Sequence, residues 1–187
     1  MRPENEEYLH TKNEKLGHQL PLGGEADQGD IRFYHSDQPW GELSNFSRHA
    51  ICRNEAIWPT VEHYYQAQKF ADTPHEEAIR RCATPMAAKT LARSLSADFQ
   101  RRDWDAVKEV VMLDGLRAKF RQHSDLRERL LSTGGRRLVE HTADDLYWAD
   151  GGDGSGANRL GVLLMQVRSE LQPLSLIHIS EPTRRYE

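Results

Sequence analysis

Helix-start signals recur at short intervals through the middle of the chain, and they constrain its fold more than any other feature. A threonine beside a proline precedes each of three segments that lack glycine and further proline, at Pro59-Thr60, Thr73-Pro74 and Thr84-Pro85. Threonine accepts a hydrogen bond from a free N–H of the first helical turn, and proline suits the first helical position because it has no N–H to lose. Glu76 would complete a capping box with Thr73. This spacing predicts a series of short helices.

Segments on either side of these helices predict a small β component. Ile31–Tyr34 and Ala50–Trp58 are rich in β-branched and aromatic residues, as short strands are. A final helix is expected after Asn158, where leucines and a valine recur at the helical period. The longest helix is expected over 103–120, with an apolar side made of Val107, Val110, Val111, Leu113 and Leu116. The pattern therefore predicts a single compact α+β domain that is mainly α.

The length of 187 residues suits one hydrophobic core. Residues 1–30 are polar and nearly free of apolar periodicity, so we expect a flexible arm before a domain over 31–172. Residues 173–187 change character abruptly after a helix that is complete at Gln172. Our hypothesis is that this segment is a non-native or read-through tail outside the domain.

Composition narrows the class of protein and its surroundings. With 37% hydrophobic and 29% charged residues the chain is typical of water-soluble domains, and no apolar run is long enough to cross a membrane. The two cysteines do not form a disulfide framework, and the amino terminus lacks the pattern of a secretory signal. We therefore expect a cytoplasmic protein with no membrane partner. The net charge of −4 argues against a broad nucleic-acid surface, and the oligomeric state is left open.

Glu62, Gln66 and Lys69 recur at the spacing that places side chains on one face of an α-helix. A partly desolvated lysine can lose its proton and act as a nucleophile, and a nearby carboxylate can stabilise positive charge. The alternative is a solvated surface stripe, which is the commoner arrangement on an arbitrary helix. The aromatic residues around the trio favour a site, with Glu62 and Lys69 as candidate catalytic residues and Gln66 as a binding residue.

A glycine-rich loop, 151–156, leads into the last helix. Glycines let the backbone approach a ligand closely, and the free N–H groups of a helix start attract anions. Beside it, Asp150 is a candidate acid or base and Trp148 a candidate stacking partner for a flat base. Candidate binding residues in this region are Gly151, Asn158 and Arg159. An ordinary Asp-Gly turn is the alternative, and the spacing does not match a calcium-binding EF-hand loop.

A third candidate is the loop 41–46, in which Asn45 could bond the edge of a base and Phe46 could pack beneath it. A capped turn is the alternative there. The histidines show no metal-ligand spacing such as H-E-x-x-H, so no metal site is expected.

Taken in order, these motifs resemble the NADAR family in its YbiA-like branch. The resemblance covers about residues 31–171, and the combined pattern is far more specific than any one part. The matching segments are Phe33-Tyr34, Leu43-Ser44-Asn45-Phe46, Trp58-Pro59-Thr60 with Glu62-His63-Tyr64 and Gln66-Ala67-Gln68-Lys69-Phe70, Trp104, 116–120, 138–142, Tyr147-Trp148 with Asp150-Gly151, and 158–161. The family's loop commonly carries lysines among its glycines, whereas this chain has Ser155 and Ala157, so arginines elsewhere are the alternative holders of a phosphate.

The resemblance implies a hydrolase that splits N-glycosidic bonds without a cofactor. For this branch it implies ribosylamino-pyrimidine 5′-phosphates of riboflavin biosynthesis as substrates, with release of ribose 5-phosphate. It also implies that Lys69 can attack C1′ of an opened ribose to form a Schiff base. Glu62 would then stabilise the positive charge, and Asp150 would serve as acid or base.

Two other functions are weighed against this one. In the same class, the chain would remove ADP-ribose from guanine in nucleic acid, as other branches of the family do. In a different class, it would be a non-catalytic module that binds NAD or ADP-ribose. The net negative charge favours a small phosphorylated nucleotide-like substrate over nucleic acid.

Overall fold

A computed structural model describes residues 29–172, and within them the chain forms a helical domain with four short strands. The helices are α1 Val61–Ala67, α2 Pro74–Arg80, α3 Pro85–Ser94, α4 Trp104–Gln122, α5 Ser124–Leu131 and α6 Arg159–Leu171. The strands are β1 Ile31–Phe33, β2 Ile51–Arg53, β3 Ala56–Trp58 and β4 Leu138–Glu140. The predicted α+β class with mainly α content is confirmed. Almost all of the predicted arm, 1–30, and all of the predicted tail, 173–187, lie outside the described residues.

The strands form two separate pairs. β1 and β4 lie parallel, with Ile31 opposite Leu138, so the first and last strands of the described domain meet in one ladder. β2 and β3 form an antiparallel hairpin. Its turn residues Asn54 and Glu55 have positive φ values of 52° and 59°, which matches the twist that a two-residue hairpin requires. In the described range no helix is both long and apolar enough to span a bilayer.

Two of the three predicted helix starts are capped as expected. Thr60 Oγ1 accepts a hydrogen bond from the backbone N–H of His63 at 3.3 Å and begins α1. Thr84 Oγ1 accepts one from the N–H of Ala87 at 3.1 Å and begins α3. Each cap fixes the rotation of a helix whose side chains line the site described below.

The predicted capping box at the start of α2 does not form. Thr73 donates its hydroxyl to the Phe70 carbonyl at 2.7 Å instead of capping the helix. The Glu76 carboxylate accepts from Gln68 Nε2 at 2.9 Å and from the Asp72 N–H at 3.0 Å. These bonds hold the segment that follows α1. Its residues Gln68–Phe70 form a 3-10 turn instead of continuing the α-helix as predicted.

The core is built around α4, which packs against α1, α5 and α6. Leu116 and Phe120 of α4 are fully buried, and the predicted apolar stripe of α6 is buried along its length. Val110, which the sequence places on the apolar side of α4, is exposed instead. The buried part of α4 spreads over more than one side, because neighbouring helices cover it from several directions.

Candidate active site

A cavity of about 230 Å³, called here the smaller cavity, opens where α1, α3 and β4 approach each other. Six of the predicted site residues line it, namely Asn45, Phe46, Glu62, Gln66, Lys69 and Trp148. These residues come from three separate segments of the sequence, and the fold brings them together. The expected convergence of α1, the 41–46 loop and the Trp148 region is therefore present.

Glu62 and Gln66 form the buried floor of this face of α1. Only 5% of Glu62 and 4% of Gln66 is exposed, so the face is not a solvated stripe. Gln66 Nε2 donates to Glu62 Oε1 at 2.8 Å, which fixes the carboxylate on one side. The other carboxylate oxygen has no protein partner within 29–172. Burial raises the pKa of Glu62, while Gln66 and the nearby cations Lys89, Lys69 and Arg93 oppose that rise.

The Lys69 amine lies on the 3-10 turn that follows α1, on the same side as Glu62. Its Nζ is 5.4 Å from the ring centroid of Tyr65 and 5.7 Å from that of Trp104. Burial lowers the pKa of Lys69; Glu62 opposes this, and Arg93 nearby adds to it. A larger share of unprotonated amine follows, and that form is the one that can attack a carbon atom.

The segment 41–47 is held in place by the fully buried Lys119 of α4. Lys119 Nζ donates to the Glu42 carbonyl at 2.6 Å, the Ser44 carbonyl at 3.0 Å and Ser47 Oγ at 2.6 Å. Three acceptors from one segment thus surround one amine. Burial lowers the pKa of Lys119 to about 7. In the sequence Lys119 stands out only as part of the matching segment 116–120, and its buried position explains why a lysine stands there.

Asn45 and Phe46 project from this segment into the smaller cavity. The Asn45 amide nitrogen contacts Met112 Sδ at 3.2 Å, and its oxygen has no hydrogen-bond partner in the described part of the chain. In the turn itself the N–H of Phe46 bonds to Ser44 Oγ at 3.3 Å, so Asn45 does not cap it. Ser44 therefore caps the turn, as in the capped-turn alternative, and the binding role of Asn45 stays a prediction.

Asp150 lies outside the lining of the smaller cavity, contrary to the expected position. Its carboxylate is hydrogen-bonded to His141 Nδ1 at 2.8 Å and accepts from the Gly152 N–H at 2.9 Å. Burial alone would raise its pKa, but these hydrogen bonds outweigh burial and hold the pKa of Asp150 below its ordinary value. An ionised carboxylate that is occupied in this way braces the loop.

Asn158 and Arg159 also have structural partners away from the cavity. Asn158 Nδ2 donates to the Leu138 carbonyl at 2.8 Å, and its Oδ1 accepts from the Glu140 N–H at 3.0 Å. Arg159 forms a two-pronged ion pair with Glu109 at 2.8 and 2.6 Å. Both side chains connect elements of the fold, and their expected binding roles stay predictions.

The glycine-rich loop does not present free N–H groups at the start of α6. The N–H of Arg159 bonds to the Tyr147 carbonyl at 3.0 Å, and that of Leu160 bonds to the Trp148 carbonyl at 3.1 Å. Gly151 also lies outside the cavity lining and has a φ of 74°, a conformation that suits glycine. The predicted anion site at this helix start is therefore closed by the chain's own carbonyls.

Six lining residues were not singled out from the sequence, namely Lys89 and Arg93 of α3, Glu140 of β4, and Tyr65, Met112 and Asp145. The two cations are four residues apart, so they share a helix face. Neither forms an ion pair with the described residues, although most arginines of the domain do. Their sequence spacing is common on solvated helices, so it carries little signal. Glu140 is the last residue of a buried strand, and an acidic residue at that position was the one sequence feature that could have indicated a site residue.

A larger cavity of about 510 Å³ adjoins the smaller one and shares five lining residues with it. The shared residues are Phe46, Lys89, Arg93, Glu140 and Asp145. The remaining lining is mostly polar and includes Asp37 and Asp144. Among the described residues no three His, Cys, Asp or Glu side chains are grouped to hold a metal ion.

Comparison with known proteins gives the family of the chain. The model of the NADAR domain matches residues 32–172. N-glycosidase YbiA from Escherichia coli (strain K12) is 50% identical over 141 residues, which are 75% of this chain and 88% of that protein. The NMR structure of E. coli YbiA has a TM-score of 0.71 and 49% identity, covering 76% of this chain and 84% of that one.

A third relative is the riboflavin biosynthesis protein VVA0006 of Vibrio vulnificus (strain YJ016). It is 41% identical over 157 residues, which are 82% of this chain but 42% of that longer protein. The matches run across the described domain and include every segment that lines the smaller cavity. The chain therefore belongs to the NADAR domain family.

Proposed function

We propose that this protein is an N-glycosidase that hydrolyses phosphorylated ribosylamino-pyrimidine intermediates of riboflavin biosynthesis and releases ribose 5-phosphate. The relatives named N-glycosidase support the reaction class, and the relative named as a riboflavin biosynthesis protein supports the substrate. The observation that carries the proposal is that the Glu62 carboxyl and the partly desolvated amine of Lys69 line the same cavity.

Lys69 supplies the nucleophile in this proposal. The sugar of an N-ribosylamine opens to an imine at C1′, and the neutral Lys69 amine adds to that carbon. The amine of the base then leaves as its C1′–N bond breaks, and C1′ remains bonded to Lys69 as a Schiff base. Water adds to C1′ and releases ribose 5-phosphate together with the free lysine. Glu62 stabilises the positive charge that develops at C1′.

Lys89 and Arg93 hold the phosphate of the substrate. They share a helix face at the boundary of the two cavities, and neither is paired with a carboxylate of the described domain. A guanidinium presents several N–H donors in a plane that matches phosphate oxygens, and the ammonium of Lys89 adds a second charge. This assignment replaces the glycine-rich loop, in which the N–H groups of Gly152, Gly154, Ser155 and Gly156 are bonded within the loop itself.

Asp150 contributes to the site by bracing it. Its bonds to His141 and to the Gly152 N–H anchor the loop that carries Trp148 into the smaller cavity. Trp148 lines the smaller cavity and packs against the substrate there. Asn45 and Gln66 contact the sugar in the same cavity.

The test is trapping with borohydride, which reduces a Schiff base to a stable amine. The purified protein is incubated with a ribosylamino-pyrimidine 5′-phosphate and borohydride, and the modified peptide is identified by mass. We expect a pentose-phosphate adduct on Lys69 and none in Lys69→Arg, because a guanidinium stays protonated. Lys108→Arg, a lysine of α4 outside both cavities, is the matched control and keeps the adduct.

The same assay separates the competing functions. Release of ribose 5-phosphate without an adduct would leave an N-glycosidase that uses water directly. Release of ADP-ribose from a modified guanine oligonucleotide, with no action on the small substrate, would favour the nucleic-acid reaction. Binding of ADP-ribose with no product from either substrate would identify a non-catalytic module.

A further inference from the structure

Glu140 has a rigid backbone and an unpartnered side chain, and the mechanism above does not use it. Its N–H donates to Asn158 Oδ1 at 3.0 Å, and its carbonyl accepts from the Asp150 N–H at 2.9 Å. On the other side β4 is paired with β1, where Phe33 lies opposite Glu140. The largely buried carboxyl makes no hydrogen bond to any residue of 29–172. The fold thus positions a carboxyl group firmly and leaves it available.

The Glu140 carboxyl lies at the boundary between the two cavities and lines both of them. Of the carboxyl groups in residues 29–172, only those of Glu140 and Asp145 line both cavities. Asp145 Oδ1 accepts from the N–H groups of Tyr147 at 2.8 Å and Trp148 at 2.7 Å, so this oxygen is used to shape the loop. Glu140 is therefore the group at the boundary that is free to exchange a proton with a ligand.

A ribosyl substrate has a natural division at the same boundary. The smaller cavity contains Lys69 and Glu62, which act on C1′, and its volume of about 230 Å³ suits a sugar. The cavity of about 510 Å³ beyond Glu140 has room for a base, with carboxylates such as Asp37 and Asp144 to accept hydrogen bonds from its amino groups. The C1′–N bond would then cross the boundary beside Glu140.

We propose that Glu140 is the general acid of the reaction, with the sugar in the smaller cavity and an amino-substituted base in the larger one. This inference rests on the proposed function. As the C1′–N bond breaks, its electron pair goes to the nitrogen of the base, and the Glu140 carboxyl proton is transferred to that nitrogen. Water then adds its hydroxyl to C1′ and returns its proton to the Glu140 carboxylate, and the proton of that hydroxyl passes to the Lys69 nitrogen as the C1′–Lys69 bond breaks.

The electrostatic surroundings keep this proton available at neutral pH. Burial raises the pKa of Glu140 to about 8, Asp145 and Glu62 add to the rise, and Lys89 opposes it. A carboxyl group with that pKa is mostly protonated at pH 7, as a proton donor needs to be. The charged or titratable groups that line the same cavities are Glu62, Tyr65, Lys69, Lys89, Arg93 and Asp145, and in the larger cavity also Tyr34, His35, Asp37 and Asp144.

The experiment compares Glu140→Gln with the unaltered protein across pH, using a ribosylamino-pyrimidine 5′-phosphate. The amide keeps the shape of the side chain and cannot act as the acid. We expect kcat to fall by about a hundredfold or more. The kcat of the unaltered protein falls as the pH rises through about 8, because Glu140 loses its proton there. The pH profile of the variant lacks this descending limb. Glu128→Gln, on the exposed side of α5, is the matched control and keeps both rate and limb.

A second variant separates proton transfer from a folding defect. Glu140→Ala leaves space beside the bond, so added imidazole, whose protonated form can donate a proton near pH 7, should restore part of its activity, which a purely structural loss would not allow. The role is refuted if Glu140→Gln stays within about threefold of the parent rate, a much smaller loss than general acid catalysis gives. The role is also refuted if Glu140→Gln is slow but its kcat still falls as the pH rises through about 8. If the unaltered protein cleaves no N-ribosyl substrate, the proposed function falls, and the role of Glu140 falls with it.

Discussion

Replacing Lys119 with methionine tests the claim that one buried amine holds the segment 41–47. Methionine fills a similar volume but donates no hydrogen bond, so the acceptors around Nζ lose their partner. The Ser44 carbonyl and Ser47 Oγ are the buried acceptors, and leaving each unsatisfied costs about 1–3 kcal/mol. Replacing Lys119 also removes the desolvation penalty of its buried charge, which offsets part of the lost stability. We expect a net loss of about 3 kcal/mol in the free energy of unfolding.

The assay is equilibrium unfolding in urea, followed by tryptophan fluorescence. The midpoint should fall with little change in slope, since the surface exposed on unfolding stays the same. Lys108→Met on the same helix is the control. Its Nζ pairs with the exposed Asp105 at 3.1 Å, and such a pair contributes at most about 1 kcal/mol. A Lys119 variant no less stable than the Lys108 variant would refute the reasoning.

Three further predictions concern the site. Glu62→Gln should lower kcat at least about a hundredfold, or ~2.7 kcal/mol of barrier, with an unchanged melting temperature; a near-normal rate would remove Glu62 from the mechanism. Lys89→Gln and Arg93→Gln should each raise KM about tenfold or more for the phosphorylated substrate but not for its dephosphorylated form, and equal effects on both forms would contradict phosphate binding. For Glu140, the pKa rises from 4.5 unfolded to about 8 folded, so the folded chain binds the extra proton between these values. Unfolding free energy should therefore fall as pH rises over that range, by at most about 1.4 kcal/mol per pH unit, and Glu140→Gln should flatten this slope in urea titrations.

The parts of the site that the sequence predicts well are those encoded by helical spacing. Glu62, Gln66 and Lys69 are close in sequence, so the period of a helix is enough to place them on one face. Thr60 and Thr84 cap their helices because a cap depends only on neighbouring residues. Asn45, Phe46 and Trp148 were predicted from their own loops, and no local pattern connects them to α1.

The parts that the sequence could not place depend on long-range packing. Asp150, Asn158 and Arg159 are polar residues beside glycines, which is equally typical of a binding loop and of a braced loop. Their partners, such as Glu109 for Arg159, lie far away in the sequence and decide between the two. Glu140 was missed for the same reason, because a single acid at a strand end shows neither its burial nor the cavities around it.

The parallel pairing of β1 with β4 bears on how a newly made chain acquires its activity. The ladder joins the first strand of the domain to the last, so its formation requires closure of nearly the whole domain. Contacts of such high sequence separation form late, because the entropy of closing the loop is lost before any contact is gained. Asn158, which fixes Glu140, emerges from the ribosome later still. Nascent chains therefore contain Lys69 long before the cavity around it is complete.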